Sequence, residues 1–180
     1  MQRKSFPSFQ RGLTLIESCI VLAIASILVG TAAPSFQESK VKRMRDGIAA
    51  ELATDLHYVR SEAVARNEGV RISFYNTSAG RCRVIHTGSR SDCQCDGPGP
   101  AQCSNGSVAL KSVFLPIDHP VQVTANVSTL RFDQTNGTAT TGGTVCVVPA
   151  SGKEIRHVIN IMGRVRTCSP KVAGGVCELC

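Results

Sequence analysis

Three groups of residues in this 180-residue chain have types and spacings that could do chemistry. The first is a set of cysteines. Cys82, Cys93, Cys95, Cys103, Cys146, Cys168, Cys177 and Cys180 all follow the chain's long apolar run, and Cys19 lies within it. An even number of thiols in an exported segment reads as a disulfide framework with about a hundred possible pairings. Cys146 with Cys168 would tie the last strands, and the group from Cys82 to Cys103 would staple a loop. Cys177-Glu178-Leu179-Cys180 also has the spacing of zinc ligands. The Cys-rich stretch holds no histidine, so no metal is assigned. Cys19 is expected to be an inert buried thiol.

The second group is basic. Residues 153–171 hold Lys153, Arg156, Arg164, Arg166 and Lys171 against one acid, Glu154. In Ile159-Asn160-Ile161-Met162-Gly163-Arg164-Val165-Arg166, strand alternation puts Ile159, Ile161 and Val165 on one face and both arginines on the other. Two guanidiniums ~7 Å apart approximate the spacing of adjacent phosphates on a nucleic-acid strand. Guanidinium also suits bidentate phosphate contact. The plain alternative is a solvated strand face. The third group is one residue, Glu17, a carboxylate inside an apolar run, where a charge costs about 2.5–3.5 kcal/mol at membrane depth. His57, His86, His119 and His157 are scattered, and no triad or phosphate-loop motif frames them, so the chain is read as a non-enzyme without cofactor.

These residues need elements to position them. Residues 1–12 carry Arg3, Lys4 and Arg11 and no acid, which is +3 of the net +7. An apolar run at 13–33 follows, long enough as a helix to cross a bilayer. The basic flank predicts a cytoplasmic N-terminus and an exported remainder. The rival is an ordinary signal peptide cut near Thr31-Ala32-Ala33. A carboxylate has no use in a discarded peptide. Glu17 makes sense if cleavage falls between Gly12 and Leu13, because the new amine could pair with it.

Residues 34–69 continue as an amphipathic helix, with Ile48, Leu52, Leu56, Val59 and Ala63 on one face. Six cations and six acids make its other face, read as solvated. Glu51–Asp55 is a like-charge pair one turn apart, while Glu62–Arg66 is attractive. Gly69 is expected to end the helix. Val70, Ile72 and Phe74 alternate as a strand. Further strands are expected at 81–87, 108–116, 121–123, 129–132, 144–149 and 155–165, the last long enough to break near Gly163. Turns fall at Asn136-Gly137 and Gly142-Gly143, and 92–107 reads as a loop. Aromatic content of 4% with no Trp argues against extensive base stacking.

Arg11-Gly12-Leu13-Thr14-Leu15-Ile16-Glu17 before an apolar helix resembles the prepilin-peptidase site of type IV pilins and type II secretion pseudopilins. The resemblance implies cleavage after Gly12, methylation of Leu13, and an assembly role for Glu17 at the fifth mature position. It differs in having Leu13 where Phe is usual. Pro34 falls where many pilins have a helix-kinking proline. The run from Tyr58 to Asn67, and Leu130-Arg131-Phe132-Asp133 with the glycine turns after it, resemble the GspH/FimT minor pilins. Gly163-Arg164-Val165-Arg166 near a terminal Cys is similar to the Gly-Arg-x-Arg motif of FimT-type minor pilins, whose C-terminal region binds DNA in natural transformation. That implication falls on Arg164 and Arg166, with less support for Lys153, Arg156 and Lys171.

The resulting expectation is an α+β, pilin-like fold with a disulfide-bonded antiparallel β domain at 70–180. The partners it implies are other pilin or pseudopilin subunits, the prepilin peptidase, the bacterial inner membrane and DNA. The β domain would lie in the periplasm, or outside the cell when assembled in a pilus. A purely structural GspH-like pseudopilin with no nucleic-acid ligand is the competing function.

Overall fold

The computed structural model describes residues 14–169, with 31–34 given as backbone only. Helix α1 runs Leu15–Arg66, and ten strands follow among the described residues. Two compact units meet within the helix, after Ser39. In the first unit, the helix is exposed on every side and apolar, with Leu15, Ile16, Leu22 and Leu28 open to the surroundings. It is long and apolar enough to cross a membrane. Thr14 sits at its N-terminus, with Oγ1 accepting from the Glu17 N–H at 3.4 Å. Thr14-x-x-Glu17 is thus also a capping sequence.

In the second unit, residues 40–66 of the helix bury Ala49, Leu52, Leu56, Val59 and Ala63. The predicted face is therefore correct except at its start, where Ile48 is half-buried and Ala49 takes the inner position. The helix ends at Arg66, three residues before the predicted glycine. Asn67 adopts φ 52°, and the Glu68 and Asn67 N–H groups reach back to the Ala63 and Val64 carbonyls at 3.2 Å each. This is a Schellman cap with Asn in the left-handed position. Gly69 has another purpose: a Cβ there would sit 2.5 Å from the Arg131 guanidinium.

Two four-stranded antiparallel sheets and a short ladder make up the rest. The first sheet has the order β5-β2-β1-β7, from Ala109–Pro116, Gly80–His86, Val70–Asn76 and Thr129–Phe132. The second has the order β10-β9-β8-β6, from Val165–Cys168, Ile155–Ile159, Gly143–Pro149 and Val121–Ala125. One hydrophobic core joins the helix to both: Leu52 and Leu56 meet Ile72, Ile85 and Phe132 of the first sheet and Val145, Val147 and Ile159 of the second. The predicted loop at 92–107 holds the two-residue ladder β3 (Cys93–Gln94) and β4 (Gln102–Cys103).

Strand β2 is buried on both faces, so its sequence lacks simple alternation. Arg83 and Ile85 face the helix side, and Cys82 and Val84 join a second cluster under the stapled loop. Disulfides Cys82–Cys95 and Cys93–Cys103 close that loop. The expected Cys146–Cys168 bond does not form. Cys146 faces Arg156 on β9, and Arg156 faces Cys168 on β10. Two strand spacings, roughly 9–10 Å, exceed disulfide reach. Both cysteines are nonetheless disulfide-bonded. Cys177 and Cys180 lie outside the described residues. Cys19 is free.

The like-charge pair Glu51–Asp55 is not a solvated face either. Asp55 is buried and Glu51 half-exposed, and both hold two cations from the first sheet. Arg83 Nε donates to Asp55 Oδ2 at 3.1 Å, and its Nη2 lies 3.0 Å from Glu51 Oε2, off the hydrogen-bonding direction. Lys111 Nζ donates to Glu51 Oε1 at 2.8 Å and Asp55 Oδ1 at 2.6 Å. Burial raises the Glu51 carboxyl pKa, but the Lys111 hydrogen bond and the nearby Arg83 charge bring it below the usual value.

Candidate nucleic-acid interface

The expected long strand at 155–165 is a hairpin. β9 ends at Ile159, the chain turns through 160–164, and β10 starts at Val165 and pairs back, with Arg166 opposite Val158. Asn160 makes the turn. Its carbonyl accepts from Gly163 N–H at 2.9 Å, its side-chain Oδ1 accepts from Arg164 N–H at 2.9 Å, and its own N–H donates to the Arg164 carbonyl at 3.2 Å. Gly163 closes it with φ 71°, a position that favours glycine. The single-strand face expected from alternation is thereby broken. Ile159 is buried, while Ile161 is exposed at the turn.

The local alternation at 164–166 survives. Val165 packs against the core, and Arg164 and Arg166 on either side of it are exposed. Among the described residues, neither guanidinium has an acidic partner. The turn that carries them is docked. The Ile161 carbonyl accepts from Ala139 N–H at 3.0 Å, and a Cβ on Gly163 would lie 2.3 Å from the Gly137 carbonyl oxygen. Gly137 in turn, at φ 61°, leaves room for Arg60 of the helix. The glycine of Gly-Arg-x-Arg is therefore the contact that seats the hairpin, and the arginines project from it.

The remaining predicted basic residues separate. Arg156 is buried, and its Nε donates to Glu154 Oε1 at 2.8 Å, with Nη2 on the same oxygen. Two residues apart on extended chain, Glu154 and Arg156 fall on one side and neutralise each other, so Arg156 does not face a ligand. Lys153 is exposed, and its carbonyl accepts from Arg45 Nη1 at 2.7 Å, which ties the turn before β9 to the helix. Lys171, Gly12 and Leu13 lie outside the described residues.

The sequence reading missed one arrangement of chemical interest. Ser73 Oγ lies 2.9 Å from His86 Nε2, and His86 Nδ1 lies 2.9 Å from the Thr87 carbonyl. The carbonyl requires Nδ1 to donate, so Nε2 accepts from Ser73, as in a nucleophile–base pair. Both residues are fully buried, and burial pushes the His86 pKa down. No substrate can reach them, so the pair is a cross-strand bridge between β1 and β2.

A long N-terminal helix whose second half packs on antiparallel sheets is the type IV pilin fold. Two crystal structures of the type IV minor pilin FimU of Pseudomonas aeruginosa match it, at TM-scores of 0.54 and 0.51 and 20% identity. They cover 72% and 70% of this chain and 95% and 97% of theirs. At that identity the likeness is one of fold. Residues 49–163 match the family of the Type II transport protein GspH, and the chain belongs to that family of minor pilins and pseudopilins. The pilin-like protein PilA1 of Thermus thermophilus is 37% identical over 71 residues, 39% of this chain and 44% of that protein. The chain thus spans less than half the length of that relative. The family match ends at Gly163, so membership rests on the helix and sheets and not on Arg164 and Arg166.

Proposed function

We propose that this minor pilin or pseudopilin binds DNA through the β9–β10 hairpin and serves DNA uptake in natural transformation. The observation that carries the reading is the pair Arg164 and Arg166, exposed on either side of core-packed Val165 and without acidic partners among the described residues. They sit on a turn docked against Gly137, so little side-chain-bearing backbone must be ordered on binding. Phosphate contacts by arginine give affinity with little sequence preference. Exposed Lys153 lies in the turn before β9, at the far end of that strand from the arginine-bearing turn, and adds charge to the same sheet. Lys171 is a further candidate.

The same proposal places the protein in the inner membrane, with its sheet domain in the periplasm or, in a pilus, outside the cell. Cleavage after Gly12, methylation of Leu13 and pairing of Glu17 with a neighbour's N-terminus would deliver it to the filament. A purely structural subunit is the second reading, and one observation favours it: the GspH match stops before the arginines.

A mobility-shift experiment separates the two. The full chain in non-ionic detergent should retard duplex DNA at low salt, and Arg164→Gln with Arg166→Gln should retard it much less. Equal retardation by both proteins would remove the assignment to these arginines, and none by either would leave the structural reading. Gly12→Ala should leave uncleaved precursor on an immunoblot, whereas normal mature protein would return the N-terminus to an ordinary signal peptide.

A further inference from the structure

The turn between β9 and β10 has unusual corners. The Gly163 N–H to Asn160 carbonyl bond makes Ile161 and Met162 the two central residues of a β-turn. Such positions are dominated by Gly, Pro, Asn, Asp and Ser, each for a conformational reason that Ile and Met lack. Here both side chains stand in the open, Ile161 at 63% and Met162 at 64% exposure. The core does not use them, since Ile159 and Val165 on either side supply the buried contacts. Exposing two large apolar side chains at the tip of a hairpin has no benefit for the isolated domain.

Their neighbours indicate what they meet. Arg164 is two residues on and Arg166 four, both exposed, so the apolar tip is flanked by cations. The tip is also held firmly, by the Ala139 and Gly163 hydrogen bonds, the Asn160 side chain and the Gly163–Gly137 contact. A ligand suited to this surface has anionic groups beside an apolar surface that can be opened. Duplex DNA has both: phosphates along the strand, and base faces exposed when a step is unstacked. Ile and Met are among the side chains that wedge between base steps, and a rigid support is needed to hold the step open against stacking.

We infer that Ile161 and Met162 form an apolar wedge that enters the minor groove and partly unstacks a base step while Arg164 and Arg166 hold the flanking phosphates. The inference rests on the DNA-binding reading above and deepens it. The wedge supplies affinity that does not depend on salt, and the arginines supply the part that does. It also favours flexible TA and CA steps over stiff A-tracts, because those steps open most easily.

The test uses the full chain in non-ionic detergent and a short duplex with central TA steps carrying 2-aminopurine, whose fluorescence rises on unstacking. Binding by the unaltered protein should raise the fluorescence. Ile161→Ser with Met162→Ser should abolish that rise and weaken binding about tenfold at every salt concentration, with the salt slope unchanged. Ile161→Leu with Met162→Leu should restore both. Both side chains are exposed, so the fold should be unaffected, which circular dichroism checks. If the unaltered protein binds without a fluorescence rise and the serine variant binds equally well, the wedge is overturned, and the tip belongs to a contact with another subunit. If the unaltered protein does not bind at all, the DNA-binding reading falls and takes the wedge with it.

Discussion

Replacing Gly163 by alanine tests the seating of the hairpin. Two costs should add. A non-glycine residue at φ 71° carries roughly 1–2 kcal/mol of left-handed strain. The new Cβ would also lie 2.3 Å from the Gly137 carbonyl oxygen, a backbone atom that cannot rotate away. Forcing the two turns apart should cost a further ~1–3 kcal/mol, the usual range for overpacking. Gly106 separates the two contributions, because it has nearly the same φ of 75° with nothing within 4 Å of its missing Cβ. Gly106→Ala should lose only the strain, about 1–2 kcal/mol, and Gly163→Ala about 2–5 kcal/mol. Urea unfolding followed by circular dichroism reads both. Equal losses for the two variants would refute the claim that Gly163 is required by its contact with Gly137.

Other expectations concern the core, the loop and pH. Arg83→Met should destabilise by about 1.5–3 kcal/mol in urea, because buried Asp55 loses one charged hydrogen-bond donor and keeps Lys111 as its charge partner. Adding Asp55→Leu should recover part of that loss. Cys93→Ser with Cys103→Ser should cost about 2–3 kcal/mol by opening a short loop, and reduction of the unaltered protein should lower its melting temperature. His86 and His157 are both held below their ordinary pKa, chiefly by burial; carbonyls at Thr87 and Ala49 oppose the shift, and for His86 nearby Arg71 adds to it. The unfolded chain therefore takes up more protons, so stability is full above pH ~6.5 and falls below it, by up to ~1.4 kcal/mol per pH unit for each histidine. Urea midpoints measured across that window should fall as pH falls, and the fall should be smaller in His86→Gln with His157→Gln.

The helix and the strand positions were legible because burial repeats along the chain. Leu52, Leu56, Val59 and Ala63 occur at helical spacing, and five of the later strands were placed within two residues at either end. What the sequence concealed came from tertiary pairing. The break expected near Gly163 is present, but alternation through 159–166 still put both arginines on one strand face, because nothing local announces that Asn160 will cap the turn with its side chain. Glu51 and Asp55 looked like a solvated, mildly repulsive pair, because Arg83 and Lys111 lie far away in the chain. Arg156 looked like a ligand contact until the fold buried it against Glu154. Cys146 and Cys168 looked like partners until the register placed a strand between them. Arg164 and Arg166 kept their predicted exposure because Val165 between them has a core to enter.

The proposed phosphate contacts of Arg164 and Arg166 have a direct readout. They are tested most directly by the salt dependence of DNA affinity, measured by fluorescence anisotropy on the full chain in non-ionic detergent. Each lost phosphate contact lowers the slope of log affinity against log salt by about 0.9. Arg164→Gln with Arg166→Gln should therefore lower the slope by roughly 1.8, while Lys42→Gln on the helix leaves it nearly unchanged. An identical slope for the double variant and the unaltered protein would contradict the account.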